Sequence, residues 1–244
     1  MKIVLTYHSI DDSGSVISTS AAHFRQQMEW LAKSHVKVVP LDAIVSAKST
    51  DDTVAITFDD GYQNFAQVAL PILERLKFPS TVFVVSDLAG KKNIWDARSG
   101  GIPQLPLMNW NSIGQCVEAG VTIGAHGRTH CALQGLTSAE VSDELAGSAG
   151  EIESRTGKVP GSFAYPFGIF DETSCVEVKR RFAIACTTEL REISRKDLPH
   201  ELPRLDAFYL RTPGILEKFG TARFGAWLRL RNAARQARSA FSLR

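Results

Sequence analysis

Two adjacent carboxylates, Asp59 and Asp60, follow the apolar run AITF, and two imidazoles four residues apart, His126 and His130, close the run VTIGAH and its sequel. Burying adjacent carboxylates unpaired is costly, and like charges at contact push a proton onto one of them. A divalent cation resolves this by binding one carboxylate and leaving the other ionised as a base. The two histidines converge if the chain between them makes a helical turn, and Gly127 permits a tight path away from the strand. Each signal has a plainer reading: an Asp pair before Gly61 can cap a helix, and a lone histidine is more often structural. The two pairs together, in a chain with six histidines, point to a metal site. Zn²⁺ suits it best, with Co²⁺, Ni²⁺ and Fe²⁺ as alternatives. Two His and one Asp leave positions open for water and substrate oxygen, so the site is catalytic, and the chemistry is hydrolysis at a polarised carbonyl.

Such a reaction needs an acid for the leaving amine. His8, at the end of KIVLTYH, is the first candidate because imidazole titrates near neutrality. His200, in a polar stretch, is the weaker one. Arg204, beside an apolar run, is expected to clasp Asp59 by a charge-assisted bond. SFAYPFG is too apolar for side-chain chemistry, but a rigid turn there can aim the backbone N–H of Phe167 at an oxyanion. Tyr165 is read as an aromatic face for a sugar, and Trp95 and Asp96 as the edge of a glycan groove.

The elements that must position these groups alternate. KIVLTYH, VKVV, TVAITF, STVFVV, VTIGAH, SFAYPFG and FAIACTT read as strands. Helical periodicity separates them at Phe24–Met28–Leu31, at residues 65–76 with Pro71 kinking or dividing the helix, at 109–118 and at 171–182. Thr137 with Glu140 forms a capping-box pattern before another long helix. Strand–helix alternation implies parallel strands in one closed or nearly closed barrel, whose active groups gather at the C-terminal strand ends. His8, Asp59, Asp60, His126 and Tyr165 all fall there.

TFDDG (57–61), HGRTH (126–130) and AYPFG (164–168) together resemble the motifs of the polysaccharide deacetylase family, also called the NodB-homology or carbohydrate esterase family 4. The resemblance covers residues 1–209. It implies an α/β fold, a distorted (β/α)₇ barrel in one domain, that hydrolyses acetamides on N-acetylated sugars. It further implies Asp59 as general base, Asp60, His126 and His130 as ligands of one divalent ion, and the turn at Phe167 as the oxyanion donor. The family's third motif commonly starts with an Arg, where this chain has Ala164. YHSI (7–10) and LPR (202–204) are similar to a branch in which His8 looks like the acid and Arg204 stands in for that Arg.

Apolar residues make up 44% and charged residues 22%, ordinary for a globular protein, and the four cysteines show no CxxC pair or disulfide pattern. The start turns polar too soon for a secretory signal, so the expected location is cytoplasmic. The formal charge of +2 hides a basic tail: six arginines and no acid lie between Ala222 and Arg244. A slightly acidic body of residues 1–210 with a basic helical tail from 211 to 244 does not fit nucleic-acid binding. The tail fits a basic amphipathic helix, either packed on the barrel or lying on anionic lipid. The first functional reading is de-N-acetylation of a surface polysaccharide, lipopolysaccharide or lipid-linked precursor. The others are hydrolysis of small amides or cyclic ureides, and non-catalytic carbohydrate binding.

Overall fold

The run TVAITF is buried at all six positions, as a parallel strand covered on both faces must be. In the structure, a computed structural model describing residues 1–46, 51–95 and 102–242, it lies near the middle of a parallel sheet. The chain runs β1 Lys2–Tyr7, β2 Ser9–Ile10, β3 Ser18–Thr19, α1 Ala21–Lys33, β4 Lys37–Val38, α2 Leu41–Ser46 and β5 Thr53–Phe58. It continues with α3 Leu70–Leu76, β6 Ser80–Val84, α4 Trp110–Glu118, β7 Thr122–Ala125, α5 Ser138–Thr156 and β8 Ser162–Ala164. Then come α6 Glu172–Arg181, β9 Ile184–Cys186, β10 Arg204–Asp206 and α7 Ala222–Ser242. The strand order is β10-β1-β5-β6-β7-β8-β9, all parallel, with β4 beside the start of β5. Leu202 bridges the last gap. Its N–H donates to Ala185 O at 2.9 Å and its carbonyl accepts from Thr187 at 2.8 Å, so β9 meets the segment leading into β10 and the ring closes.

Alternate residues of these strands fall into two separate apolar clusters. Ile3, Leu5, Tyr7, Val54, Ile56, Phe58, Val82, Val84, Phe163 and Leu205 pack with the helices. Val4, Ala55, Phe83, Ala164 and Cys186 form the other cluster, inside the barrel. The interior is narrow and filled mostly by small side chains around one ring. A Cβ at Gly124 would overlap Phe83, so that position needs glycine. The same inward parity runs on through Thr6, Thr57 and Arg204, which makes the C-terminal mouth of the barrel polar.

Several expectations change in detail. SFAYPFG is a strand only through Ala164 and then makes a 3₁₀ turn. Pro71 divides its helix: a π-helical turn over Phe65–Ala69 precedes α3, where Pro71 occupies the first turn and needs no N–H partner. The capping box at Thr137 and Glu140 is present. All four cysteines are free thiols. The tail does not stand apart from residue 211. Ile215, Phe219, Phe224 and Leu228 join the core that also holds β1 and α1. The apolar stripe of α7 is thereby buried on the barrel as far as Leu228, and Leu230 is exposed.

Candidate metal centre and catalytic site

Three of the four non-glycine residues with left-handed backbone among the described residues are Asp60 (φ 68°), His130 (φ 64°) and Phe167 (φ 58°). Each such residue costs about 1–3 kcal/mol, and such strain concentrates at functional sites. All three lie just beyond strand ends and turn back over the mouth of the barrel.

Asp59 continues the inward parity of Ala55 and Thr57, and the left-handed turn at Asp60 swings the second carboxylate toward β7. Oδ1 of Asp60 lies 3.3 Å from Nε2 of His126 and 3.2 Å from Nε2 of His130. One ligand atom from each residue falls within 4.8 Å of the others, and all three residues are buried. Nδ1 of His126 is 2.7 Å from the carbonyl of Ala164, an acceptor only, so Nδ1 carries a proton and Nε2 is the ring nitrogen turned to Asp60. Oδ1 of Asp60 is buried and accepts no well-aligned hydrogen bond. Three potential ligand atoms, two imidazole nitrogens and a carboxylate oxygen, converging in a buried space are what a divalent cation requires, so these residues fit a metal ion. Burial would raise the Asp60 carboxyl, but the two imidazoles hold it well below the usual range, ionised as a ligand must be.

The rings are clamped. Trp95 stacks on His130 at 4.1 Å between centroids, and Phe167 meets it edge-on at 4.6 Å. The loop between the histidines is held by Glu144 of α5, which sequence reading did not single out. Its Oε2 accepts from the N–H groups of Arg128 (2.7 Å) and Thr129 (3.1 Å), and its Oε1 from the Thr129 hydroxyl (2.8 Å). A Cβ at Gly127 would come within 2.9 Å of the same carboxylate, and Gly127 has φ 76°, so glycine is required there. Arg128 pairs outward with Asp87 and Asp143. Since outer partners of metal ligands are worth about 10–100-fold in affinity, Glu144→Ala should weaken divalent-metal binding at this cluster by roughly that factor. Glu144→Gln, which keeps an acceptor for the amides, should stay within a fewfold of the parent. Calorimetric titration checks both, and equal affinities for Glu144→Ala and parent would contradict the role.

Beside the cluster, Arg204 presents both arms of its guanidinium to Asp59: Nη1–H to Oδ1 at 2.6 Å and Nη2–H to Oδ2 at 2.7 Å. Its Nε–H donates to Thr187 O at 2.9 Å and Nη1–H also reaches the Thr6 hydroxyl at 3.0 Å. Arg204 is 1% exposed, inside the barrel, near the Phe83 ring. Burial pushes the Asp59 carboxyl up, but the guanidinium, with His126 and His8 adding to it, brings it below the usual carboxylate range. Across from this pair, Nε2 of His8 is 3.9 Å from Asp59 Oδ2, and the ring remains partly open to solvent. The loop after His8 is tied down by Asn64, which accepts from Ile10 N–H and donates to the Ser9 hydroxyl.

The structure therefore brings Asp59, Asp60, His126, His130, His8, Arg204, Phe167 and Trp95 together. It does not do so for two others. His200 sits at the opposite end of the barrel, with Nε2 2.9 Å from Phe182 O just ahead of β9. Tyr165, expected to face a sugar, has no exposed surface; it stacks on Phe170 at 4.2 Å and meets Phe163 edge-on. Its parity is that of Phe163, so period-2 alternation turns it to the helix layer and away from the mouth. Asp96 lies outside the described residues. The N–H of Phe167 makes no hydrogen bond among the described residues, and the residue is 47% exposed.

Known proteins resemble this chain in sequence and in fold. YxkH of Bacillus subtilis (strain 168), whose name carries the words polysaccharide deacetylase, is 26% identical over 231 residues, covering 92% of this chain and 75% of YxkH. The poly-beta-1,6-N-acetyl-D-glucosamine N-deacetylase of Staphylococcus aureus (strain MSSA476) is 21% identical over 209 residues, covering 78% of this chain and 69% of that protein. A solved polysaccharide deacetylase from Bacillus cereus superposes with TM-score 0.71 at 24% identity, over 84% of this chain but 64% of its own, a likeness of fold. The sequence model of the family described as polysaccharide deacetylase matches residues 46–182, leaving His8 and Arg204 outside the match. That segment is more than half of the chain and runs through both carboxylates, both imidazoles and the Phe167 turn, so this chain belongs to the polysaccharide deacetylase family.

Proposed function

We propose that the protein is a metal-dependent de-N-acetylase that releases acetate from N-acetylated sugars of a glycan. The carrying observation is the pairing of two unlike carboxylates side by side: Asp60 turned to two imidazoles, Asp59 withheld from them by the Arg204 fork. A pure binder has no need of the second.

When bound by Asp60, His126 and His130, a divalent ion, Zn²⁺ by preference, supplies Lewis-acid polarisation of the acetamide carbonyl and lowers the pKa of water. Asp59, kept ionised and aimed by Arg204, takes the proton of the attacking water. The Phe167 N–H, held at φ 58° and otherwise unengaged among the described residues, donates a hydrogen bond to the amide oxygen as negative charge develops on it. His8 protonates the departing amine, being the imidazole nearest to Asp59 outside the ligand pair. Trp95 and Phe167 exclude water from one side of His130 and line the approach of the sugar.

The test is acetate release from β-1,4- and β-1,6-linked N-acetylglucosamine oligomers. Release should stop on chelation and return on adding Zn²⁺. Protein that holds one ion per chain and frees no acetate from either oligomer would overturn the reading.

A cytoplasmic location and contact of α7 with anionic lipid belong to the same proposal, with a lipid-linked glycan as substrate. No helix among the described residues is long and apolar enough to cross a membrane. With Phe224 and Leu228 buried, any attraction rests on arginines, at about 1 kcal/mol each near the surface. Arg229→Gln with Arg231→Gln should therefore reduce co-sedimentation with anionic vesicles at low salt. A parent chain that stays in the supernatant would refute it.

A further inference from the structure

The His8 ring makes no hydrogen bond among the described residues, and the polar side chain facing it is Asp59, with Oδ2 at 3.9 Å. Its place over the mouth is therefore set by the backbone on either side. Upstream, β1 is locked into the sheet, and Tyr7 O accepts from Asp59 N–H at 2.9 Å. Downstream, Ser9–Ile10 lies outside the barrel sheet and pairs only with Ser18–Thr19. Two short strands of this kind are marginal by themselves.

Asn64 supplies the missing hold. Its Oδ1 accepts from Ile10 N–H at 3.0 Å, and its Nδ2–H donates to the Ser9 hydroxyl at 2.6 Å. Charge sets the direction of this clasp. Burial pushes the Asp11 carboxyl up, but hydrogen bonds from Ser13, Ser9 and Ser18 bring it below the usual range. An ionised carboxylate only accepts, so the Ser9 hydroxyl donates to Asp11 and keeps its lone pairs for the Asn64 amide. Ser18 donates to the same carboxylate at 2.8 Å, and Arg211 ties the far side of the loop through Ser15 O at 2.8 Å.

Asn64 is itself anchored. Pro71 has no N–H to continue the helical pattern, and Leu70 N–H reaches back to Phe65 O, which gives the π-helical turn directly after Asn64. Such turns are rare and recur at functional sites. Phe65 meets Phe58 of β5 edge-on at 4.7 Å. The amide of Asn64 thus ties the loop after His8 to the strand whose end carries Asp59 and Asp60, across 55 positions of chain.

We propose that Asn64 is a positioning residue for the proton donor: by clasping Ser9 and Ile10 it fixes where the His8 ring stands relative to Asp59. This rests on the deacetylase reading with His8 as acid, and extends it. The clasp matters where the leaving group must receive a proton, and little where it leaves as an anion.

The test compares two substrates of the full chain: an N-acetylglucosamine oligomer, whose amine must be protonated to leave, and 4-nitrophenyl acetate, whose phenolate leaves without a proton. Asn64→Ala should lower kcat on the oligomer about 10–100-fold with KM little changed, the size expected for displacing a reacting group by about 1 Å. On the ester it should stay within about threefold of the parent, since general-acid help is not needed there. His8→Ala should show the same selectivity, and adding Asn64→Ala to it should cost nothing more on the oligomer. Ser9→Ala removes the partner of Nδ2 and leaves the Ile10 bond, so it should fall between the parent and Asn64→Ala. It also answers the question if Asn64→Ala does not fold. Equal losses on both substrates, or additive losses in the double variant, overturn the inference and leave the activity standing. Asn64→Ala that frees acetate from the oligomer at the parent rate does the same. A parent that frees no acetate from any oligomer sinks the deacetylase reading and the inference with it.

Discussion

Asp59→Asn is expected to lower kcat for acetate release by about three orders of magnitude, within the range a general base supplies, while one divalent ion still binds per chain. The asparagine fills the same volume but cannot take a proton from water. It also turns an amide –NH₂ toward Arg204, so that one arm of the fork meets a donor in place of an acceptor. Metal content and thermal unfolding, measured on the same preparation, separate the lost proton acceptor from a damaged site. A variant that binds the ion, unfolds near the parent temperature and still turns over within tenfold of the parent would remove Asp59 from the reaction.

Arg204→Met should act on fold and rate together. The guanidinium is buried and satisfied by the Asp59 carboxylate, Thr187 O and the Thr6 hydroxyl, so its loss leaves a carboxylate in the barrel without its counter-charge. Removing one partner of a buried ion pair costs about 3–5 kcal/mol, which corresponds to a fall in Tm of roughly 6–20 °C for a chain of this size. The rate should fall as well, because burial then favours protonated Asp59 and nothing aims it. Arg204→Lys restores charge but not the two-armed geometry and should recover only part of each. The double variant Arg204→Met with Asp59→Asn should be more stable than Arg204→Met alone, since it removes the orphaned charge. If Arg204→Met unfolds at the parent temperature, the pair is not the structural unit described here.

Much of the fold is legible as period. TVAITF and STVFVV are continuous β-branched and aromatic runs, and Phe24, Met28 and Leu31 recur at helical spacing; both patterns are local, and each yields its element. The strand that closes the barrel is not legible in that way. Arg204–Asp206 is three residues long with a charge at each end, so no local pattern marks a strand there, although Arg204 itself is expected from sequence to clasp Asp59. It is a strand because Leu202 and Arg204 find backbone partners on β9 and β1, about 200 residues away in the second case. The orientation of Tyr165 was legible but overlooked: alternation with Phe163 already assigns it to the helix side.

Side-chain types and spacing alone pointed to a cluster of two imidazoles and one carboxylate, because two imidazoles four residues apart and a doubled carboxylate at a strand end state their chemistry within a few residues of chain. Which carboxylate faces the imidazoles was decided by the left-handed turn at Asp60, and the clasp of Arg204 on Asp59, 145 positions apart, by closure of the ring. The distance of His200 from the cluster, the burial of the α7 stripe and the hold of Glu144 on the histidine loop were likewise tertiary outcomes. The reason is one of range. Propensity and periodicity act between near neighbours, whereas a buried charge finds its partner only where packed strands leave room for one.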